Sequence, residues 1–261
     1  MTDKASCSKV GRKLRHGWSP DLPDHRDHKY AVAPHISKAL PPSVDLRSQC
    51  PPIYDQKNLG SCTAQAIAGA IEFDRLKQKL PDIIPSRLFI YFNERAIEHT
   101  INSDSGAQIR DGIKSVHVKG VCSETTWPYI ESQFATTPTS TAYGEAWHHR
   151  TVSYQSVTQS LSQLKGCLAS GYPIIFGFTV YDAFESDQVA QTGILNMPTS
   201  GESVVGGHAV LIVGYDDASQ RFIIRNSWGP DWGQNGYFTM PYSYVTDSDL
   251  ADDFWTIKVV K

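Results

Sequence analysis

The sequence has neither a long hydrophobic run nor a strong excess of charge of one sign. Its longest strongly apolar stretch, residues 172–181, is much shorter than the roughly 20 residues of a membrane-spanning helix, and it predicts a core strand. The formal net charge is −3, with lysine and arginine scattered along the chain. A surface for nucleic acid or for an anionic membrane therefore has no electrostatic support. The start of the sequence lacks the apolar core of a signal peptide, so we expect a cytoplasmic protein or one exported by a non-classical route.

Cysteine is scarce and irregularly spaced. The five cysteines are Cys7, Cys50, Cys62, Cys122 and Cys167. They lack the spacing of a disulfide scaffold and contain no Cys-x-x-Cys pair, so reduced thiols are the default, with a Cys50–Cys122 bridge left open. The histidines that come nearest to a metal-binding cluster are His25, His28, His148 and His149. No structural-zinc pattern accompanies them, and we expect no metal and no other cofactor.

Cys62 is the cysteine with the most informative neighbours. It ends an irregular segment and begins residues 61–80, in which apolar residues recur at helical spacing. Ser61 can serve as the N-cap, and Pro81 follows as a stop signal. The positive end of a helix dipole favours thiolate over thiol, which makes Cys62 a candidate nucleophile.

Two motifs far downstream offer partners for a thiolate. Gly206-Gly207-His208 reads as a glycine turn that opens an apolar strand, and Asn226-Ser227-Trp228-Gly229 follows a second apolar strand as a loop. Taken singly, each motif has a plain explanation: a buried cysteine, a hydrogen-bonded histidine or an asparagine in a turn. Their combination in this order is what favours a catalytic site.

Together with Gln56, six residues before Cys62, these motifs resemble the papain-like cysteine peptidases over residues 40–261. His208 follows Cys62 by about 146 residues, inside the roughly 130–150 typical of the family, and Asn226 lies somewhat beyond that range. The resemblance implies Cys62 as the nucleophile, His208 as general base and acid, and Asn226 as the group that orients the imidazole. It also implies Gln56 as a donor to the oxyanion and Trp228 as a shield, with plain loop packing as the alternative for the tryptophan.

Two positions depart from the family pattern. Leu59 stands where the family carries a cysteine, which removes a disulfide and no catalytic group. Thr63 replaces the aromatic residue that normally follows the nucleophile, which changes the packing behind the thiol. These departures and the short N-terminal region resemble the bacterial, xylellain-like branch.

The resemblance implies an α+β fold with two lobes and a cleft between them. Residues 40–135 carry helical patterns at 61–80, 86–98 and 108–119. Residues 136–261 carry strand patterns at 173–180, 209–213, 222–224, 236–240 and 254–260. We therefore predict a mainly helical lobe that carries the nucleophile and an antiparallel, barrel-like β lobe that carries the base.

Residues 1–39 precede the part that resembles a mature peptidase. Their mixed charge and prolines allow a disordered tail. Trp18, Leu22 and Pro23 are apolar anchors, however, and the extension is too short to form a core of its own. We favour a short inhibitory pro-segment that lies extended in the cleft, with residues 17–30 as the blocking part.

Substrate contacts follow from the same resemblance. Gly106 falls on the glycine whose backbone pairs with substrate, and an ordinary glycine before a helix is the alternative. Ala107, Gln108 and Gly206 would line the pocket for the second residue before the scissile bond, so that peptide binds as an added strand. Asp252 would lie at the floor of that pocket and favour arginine, unless it is a solvated turn residue.

The sequence thus predicts a cysteine endopeptidase that acts on peptide or protein substrates and is made as a self-blocked precursor. Isopeptide cleavage or acyl transfer by the same residues is one alternative. A catalytically silent peptide-binding relative is another, against which the intact set of Gln56, Cys62, His208 and Asn226 argues.

Overall fold

The computed structural model describes residues 16–37 and 39–260. Cys7 and the first fifteen residues of the N-terminal extension lie outside the described residues. The helices are α1 (Pro34–Ser37), α2 (Cys62–Lys77), α3 (Arg87–Ile97), α4 (Ile109–Val118), α5 (Ser140–Ala146), α6 (Leu161–Ala169), α7 (Asp187–Thr192) and α8 (Tyr242–Val245). The strands are β1 (Ser43–Asp45), β2 (Thr151–Ser156), β3 (Ile174–Tyr181), β4 (Val204–Asp216), β5 (Arg221–Arg225), β6 (Tyr237–Pro241) and β7 (Ala251–Val260).

Helix α2 is the central element of the helical lobe. It packs against α3 and α4 on one side and against β4 and β7 on the other, so nearly all of its residues are buried. Ser61 precedes it but does not cap it, which corrects the sequence prediction. The Ser61 hydroxyl instead lies 2.6 Å from the Tyr129 hydroxyl, because the start of the helix is enclosed by other elements and not exposed to solvent.

The β lobe is one antiparallel sheet in the order β2-β7-β3-β4-β5-β6, with β1 paired to β4. Among the described residues β2 and β6 do not pair with each other, so the sheet is open and the term barrel-like describes it only loosely. The α+β fold class, with helices and an antiparallel sheet, is as predicted. Strand β4 already begins at Val204, so Gly206 and Gly207 lie within the strand and the predicted turn at this point was wrong.

Strand β7 carries an irregularity that matters for the cleft. Its register against β3 shifts between the pairs Ile175–Trp255 and Gly177–Asp252. Asp253 lies inside the shift with a φ of 60°, in the left-handed region that a side chain other than glycine seldom adopts. A bulge of this kind reverses which side chains face which side of the sheet.

Residues 16–30, which we call the N-terminal strip, run over the junction of the two lobes. Trp18 forms an isolated parallel β-bridge with Ala107, which lies beside α4 in the helical lobe. At the far end of the strip, the Tyr30 amide donates to the Ser156 carbonyl of β2 at 2.7 Å. Between these points Arg110 of α4 forms an ion pair with Asp27 at 2.6 Å. The strip is therefore held at both lobes.

Four cysteines fall within the described residues, and all of them are free: Cys50, Cys62, Cys122 and Cys167. The Cys50–Cys122 bridge that the sequence left open is thus not formed. Within residues 16–37 and 39–260, none of the helices combines the length and the apolarity that crossing a membrane requires.

Candidate active site

Cys62 is the first residue of α2 and is fully buried. The backbone amides of Ala209 in β4, Gly17 in the N-terminal strip and Thr63 lower the pKa of its thiol, which favours the thiolate. Burial outweighs them and raises the pKa of the thiol to about 12. The thiol is therefore favoured over the thiolate that the helix dipole led us to expect, because the sulfur is shielded from water.

His208 lies in β4 and is fully buried beside Asn226. The two side chains meet at 2.8 Å between His208 Nε2 and Asn226 Oδ1, as expected for a group that orients the imidazole. His208 Nδ1 has no hydrogen-bond partner within the described part of the chain. Burial, and next the charge of His16, lower the pKa of His208 to about 3, and the Asn226 bond opposes this shift. Burial thus favours the neutral form of both the His208 imidazole and the Cys62 thiol.

Trp228 covers the His208–Asn226 pair. Its ring stacks on the imidazole with the ring centres 5.0 Å apart and an angle of 30° between the planes. Trp228 is itself 3% exposed and packs against Phe184 and Trp232. This arrangement keeps water away from the hydrogen bond, which strengthens it.

Gln56 is buried next to the start of α2. Its side-chain N–H donates to the Leu59 carbonyl at 2.9 Å, and its carbonyl oxygen accepts from the Ser227 hydroxyl at 2.7 Å. The backbone links the same segments, since the Gln56 amide donates to the Ser227 carbonyl at 2.8 Å. The amide plane is therefore fixed by the loop that also carries Asn226.

The N-terminal strip pairs with both walls of the cleft. The Trp18 amide donates to the Gly207 carbonyl at 2.9 Å, the Ala107 amide donates to the Gly17 carbonyl at 2.7 Å, and the Ser19 amide donates to the Ala107 carbonyl at 3.1 Å. Ala107 thus makes the backbone hydrogen bonds to the strip, and the pairing of Gly106 with substrate stays a prediction. The contribution of Gly106 is the absence of a side chain, because a Cβ there would lie 2.1 Å from the Gly17 carbonyl oxygen.

The Trp18 ring fills a pocket on the β-lobe side of this pairing. Gly177 and Gly207 form its wall, and a Cβ on Gly177 would lie 2.0 Å from the ring. The indole N–H donates to Asp253 Oδ2 at 2.8 Å. Asp252, which the sequence placed at the pocket floor, is instead exposed, and its carboxylate accepts from the Asp253 amide at 2.7 Å. The bulge in β7 turns Asp253 inward in its place.

The other residues expected in this pocket lie around it. Gln108 precedes α4, where its amide donates to Glu98 Oε1 at 2.7 Å, and its side chain lines a cavity shared with Leu22 and Pro23. Gly206 faces His16, because a Cβ added to Gly206 would lie 2.8 Å from the His16 Cβ. Gly206 thus borders the histidine end of the strip and not the tryptophan end.

His16 makes contacts near the catalytic histidine candidate that its sequence context did not predict. Its Nε2 atom lies 2.7 Å from Glu185 Oε1, and its ring approaches His208 at 5.9 Å between centres. Histidine in a polar, proline-rich segment carries no local signal of such a contact. Trp18, in contrast, stood out as an apolar residue that a free tail would not need.

The arrangement joins a thiol, an imidazole held by an amide, and a fixed side-chain amide in one water-excluded cleft. Such a set can support nucleophilic attack on a carbonyl, with proton transfer by the imidazole and hydrogen bonds to the oxyanion.

Comparison with known proteins gives the same result. The pattern of the papain family cysteine proteases matches residues 40–255. An uncharacterised peptidase C1-like protein of Acanthamoeba polyphaga mimivirus is 48% identical over 215 residues, which are 79% of this chain and 69% of the relative. The crystal structure of xylellain, a cysteine protease from Xylella fastidiosa, superposes with a TM-score of 0.90 at 45% identity and covers 95% of this chain and 99% of xylellain. Procathepsin B S9 of Trypanosoma congolense shares the fold, with a TM-score of 0.77 at 15% identity, over 95% of this chain and 87% of its own. The chain belongs to the papain family of cysteine proteases and is a hydrolase.

Proposed function

We propose that the protein is a cysteine endopeptidase that is made as a self-blocked precursor, with the N-terminal strip as the inhibitor. The observation that carries this proposal is the backbone pairing of the strip with both walls of the cleft. The Trp18 amide donates to the Gly207 carbonyl of β4, and the Gly17 carbonyl accepts from the Ala107 amide beside α4. A peptide that binds as an added strand needs the same positions, which supports inhibition by the strip.

In the proposed reaction, release of the strip returns water to the cleft and removes the burial that keeps the thiol and the imidazole neutral. His208 then takes the Cys62 proton, and the thiolate attacks the substrate carbonyl carbon. Gln56 and the Cys62 backbone N–H donate to the oxyanion. His208 gives the proton to the leaving amine, and water attacks the acyl-enzyme with His208 as base, which regenerates the thiol. Asn226 and Trp228 hold the imidazole in the required orientation.

The test uses the full chain and compares the wild-type protein with Trp18→Ala on fluorogenic peptides. Truncating a well-packed tryptophan typically costs about 3–5 kcal/mol, so we expect kcat/KM to rise roughly tenfold or more as the strip is released. Trp147→Ala is the matched control, because Trp147 is 58% exposed and outside the cleft. Its activity should equal that of the wild type.

Two further variants test the chemistry. In the Trp18→Ala chain, Cys62→Ala and His208→Ala should each abolish turnover while the thermal unfolding transition stays cooperative. Equal activity of wild type and Trp18→Ala would rule out inhibition by the strip. An inactive Trp18→Ala protein whose Cys62 still reacts with iodoacetamide would mean a silent peptide-binding relative.

A further inference from the structure

Glu94 of α3 is a buried carboxyl group for which the catalytic mechanism above has no use. It is fully buried, and the Thr63 hydroxyl donates to its Oε1 atom at 2.6 Å. Thr63 directly follows Cys62 in the first turn of α2, and it is also fully buried. A hydrogen bond between two helices thus ends on the residue adjacent to the nucleophile.

The surrounding chain makes room for this carboxyl group. A Cβ on Gly112 of α4 would lie 2.5 Å from Glu94 Oε2 and 2.4 Å from a methyl group of Ile67. Since any side chain at this position would collide with the carboxyl group, the glycine allows α4 to close over α2 and α3. Glu94 Oε2 is buried without a hydrogen-bond partner among the described residues. An ionised carboxylate is costly at such a site.

The charge state of Glu94 bears directly on the nucleophile. Burial raises the pKa of Glu94 well above its usual range. The hydrogen bond from Thr63 and the charge of Arg95 lower this pKa, whereas the charges of Glu98 and Asp111 raise it further. A negative Glu94 would in turn raise the pKa of the Cys62 thiol. A neutral Glu94 can hold Thr63 without opposing the thiolate.

We propose that Glu94 is a positioning residue for Cys62: as a neutral carboxylic acid it holds the Thr63 hydroxyl and fixes the first turn of α2. This inference rests on the proposed peptidase activity. It also explains how the chain manages without an aromatic residue after the nucleophile. A hydrogen bond to a buried acid replaces aromatic packing as the support behind the thiol.

The experiment uses the full chain carrying Trp18→Ala, so that the cleft is open, and adds single substitutions. Thr63→Val keeps the shape and removes the hydrogen bond, and it should lower kcat roughly tenfold with little change in KM, because small misplacements of a nucleophile are costly. Glu94→Gln keeps a neutral acceptor for Thr63, and it should keep kcat within about twofold and leave the acidic limb of the pH profile in place. Thr256→Val is the matched control, since Thr256 is equally buried and donates to the Pro173 carbonyl at 2.9 Å.

Each outcome decides the proposal. Thr63→Val with unchanged kcat and a loss of thermal stability like that of Thr256→Val would reduce the pair to a packing contact and overturn it. An acidic limb that moves to lower pH in Glu94→Gln would mean that Glu94 is ionised in the active enzyme, which also overturns it. The iodoacetamide reaction rate of Cys62 is a second readout that needs no peptidase activity, and Thr63→Val should slow it. The proposal therefore stays testable even if peptide hydrolysis is never observed.

Discussion

At the scale of single residues, Asp253 and Asp252 show how one position of register decides which carboxylate reaches the cleft. The resemblance to papain-like peptidases placed Asp252 at the pocket floor. The bulge, with Asp253 at a φ of 60°, turns the second carboxylate toward Trp18 and leaves the first one exposed. Strand alternation has a period of two, so a single extra residue moves every side chain to the opposite face.

Substrate specificity should therefore depend on Asp253. In the Trp18→Ala chain the carboxylate is available to a substrate side chain with N–H donors, and we expect arginine to be preferred over leucine at the second residue before the scissile bond. A charge-assisted hydrogen bond is worth roughly 1.5–3 kcal/mol, on the order of a tenfold to hundredfold ratio in kcat/KM.

The neighbouring carboxylate supplies the control for this prediction. Asp253→Ala should remove the arginine preference, and Asp252→Ala should leave it in place, when both are measured with paired peptides that differ only at this residue. A preference for arginine that survives Asp253→Ala would show that Asp253 does not determine it. A preference that disappears in Asp252→Ala would show that the exposed Asp252 determines it.

At the scale of elements, local sequence pattern predicted the helices, whereas tertiary pairing determined where strand β4 begins. The helix predicted over residues 61–80 forms as Cys62–Lys77, and the one predicted over 108–119 forms as Ile109–Val118. Their apolar spacing and their flanking residues are properties of the chain itself. The early part of β4 was missed because its glycines are typical of turns, whereas pairing with β3 makes them strand residues.

The N-terminal strip is an element whose position depends on contacts with α4. Asp27 of the strip pairs with Arg110, and both side chains are nearly buried. We expect Asp27→Asn in the full chain to weaken docking and raise peptidase activity up to about tenfold, because a hydrogen bond to a charged group contributes roughly 1.5–3 kcal/mol.

Asp24→Asn is the matched control, since the same chemical change removes an ion pair within the strip. Its partner Arg26 has a side chain that is 78% exposed, and such pairs contribute little. Activity measured side by side should rise for Asp27→Asn alone. Equal effects of the two substitutions would mean that α4 does not anchor the strip.

At the scale of the whole molecule, docking of the strip brings acidic groups of both parts together. Burial raises the pKa of Asp21 to about 6, and burial followed by the charge of Asp21 raises the pKa of Asp253 to about 7. The Asp253 carboxylate accepts from the Asp21 amide at 2.8 Å, and Asp21 accepts from the Arg110 amide and the Trp255 indole at 3.0 Å each. The other charged groups that face this pair are Glu98, Arg110, Asp111 and Asp252.

Docking should consequently weaken as pH rises. A released strip exposes its carboxylates, whose pKa returns toward about 4, so the docked form binds more protons between these values. The stabilisation of the docked form is complete below about pH 4 and is lost as pH rises through about 6 and 7. We predict that the kcat/KM of the full chain, divided by that of Trp18→Ala at the same pH, increases from pH 4 to 8.

The ratio cancels the pH dependence of the chemistry itself, and Asp253→Asn in both chains should flatten it. If the ratio is constant or falls with pH when Asp253 is unchanged, ionisation of Asp21 and Asp253 does not release the strip.

The sequence by itself determined the family, the order of the helical and β parts, and the four residues proposed for catalysis. Each of these depends on residue types at fixed spacings, which can be read from the sequence without a structure. Only the tertiary structure decided that the Cys62 thiol and the His208 imidazole are neutral under the strip, that Asp253 replaces Asp252, and that Thr63 is held by Glu94. The protonation state of a side chain depends on its burial by segments that are distant in sequence. The face of the sheet to which a side chain points depends on the register between strands. Neither can therefore be derived from local sequence pattern.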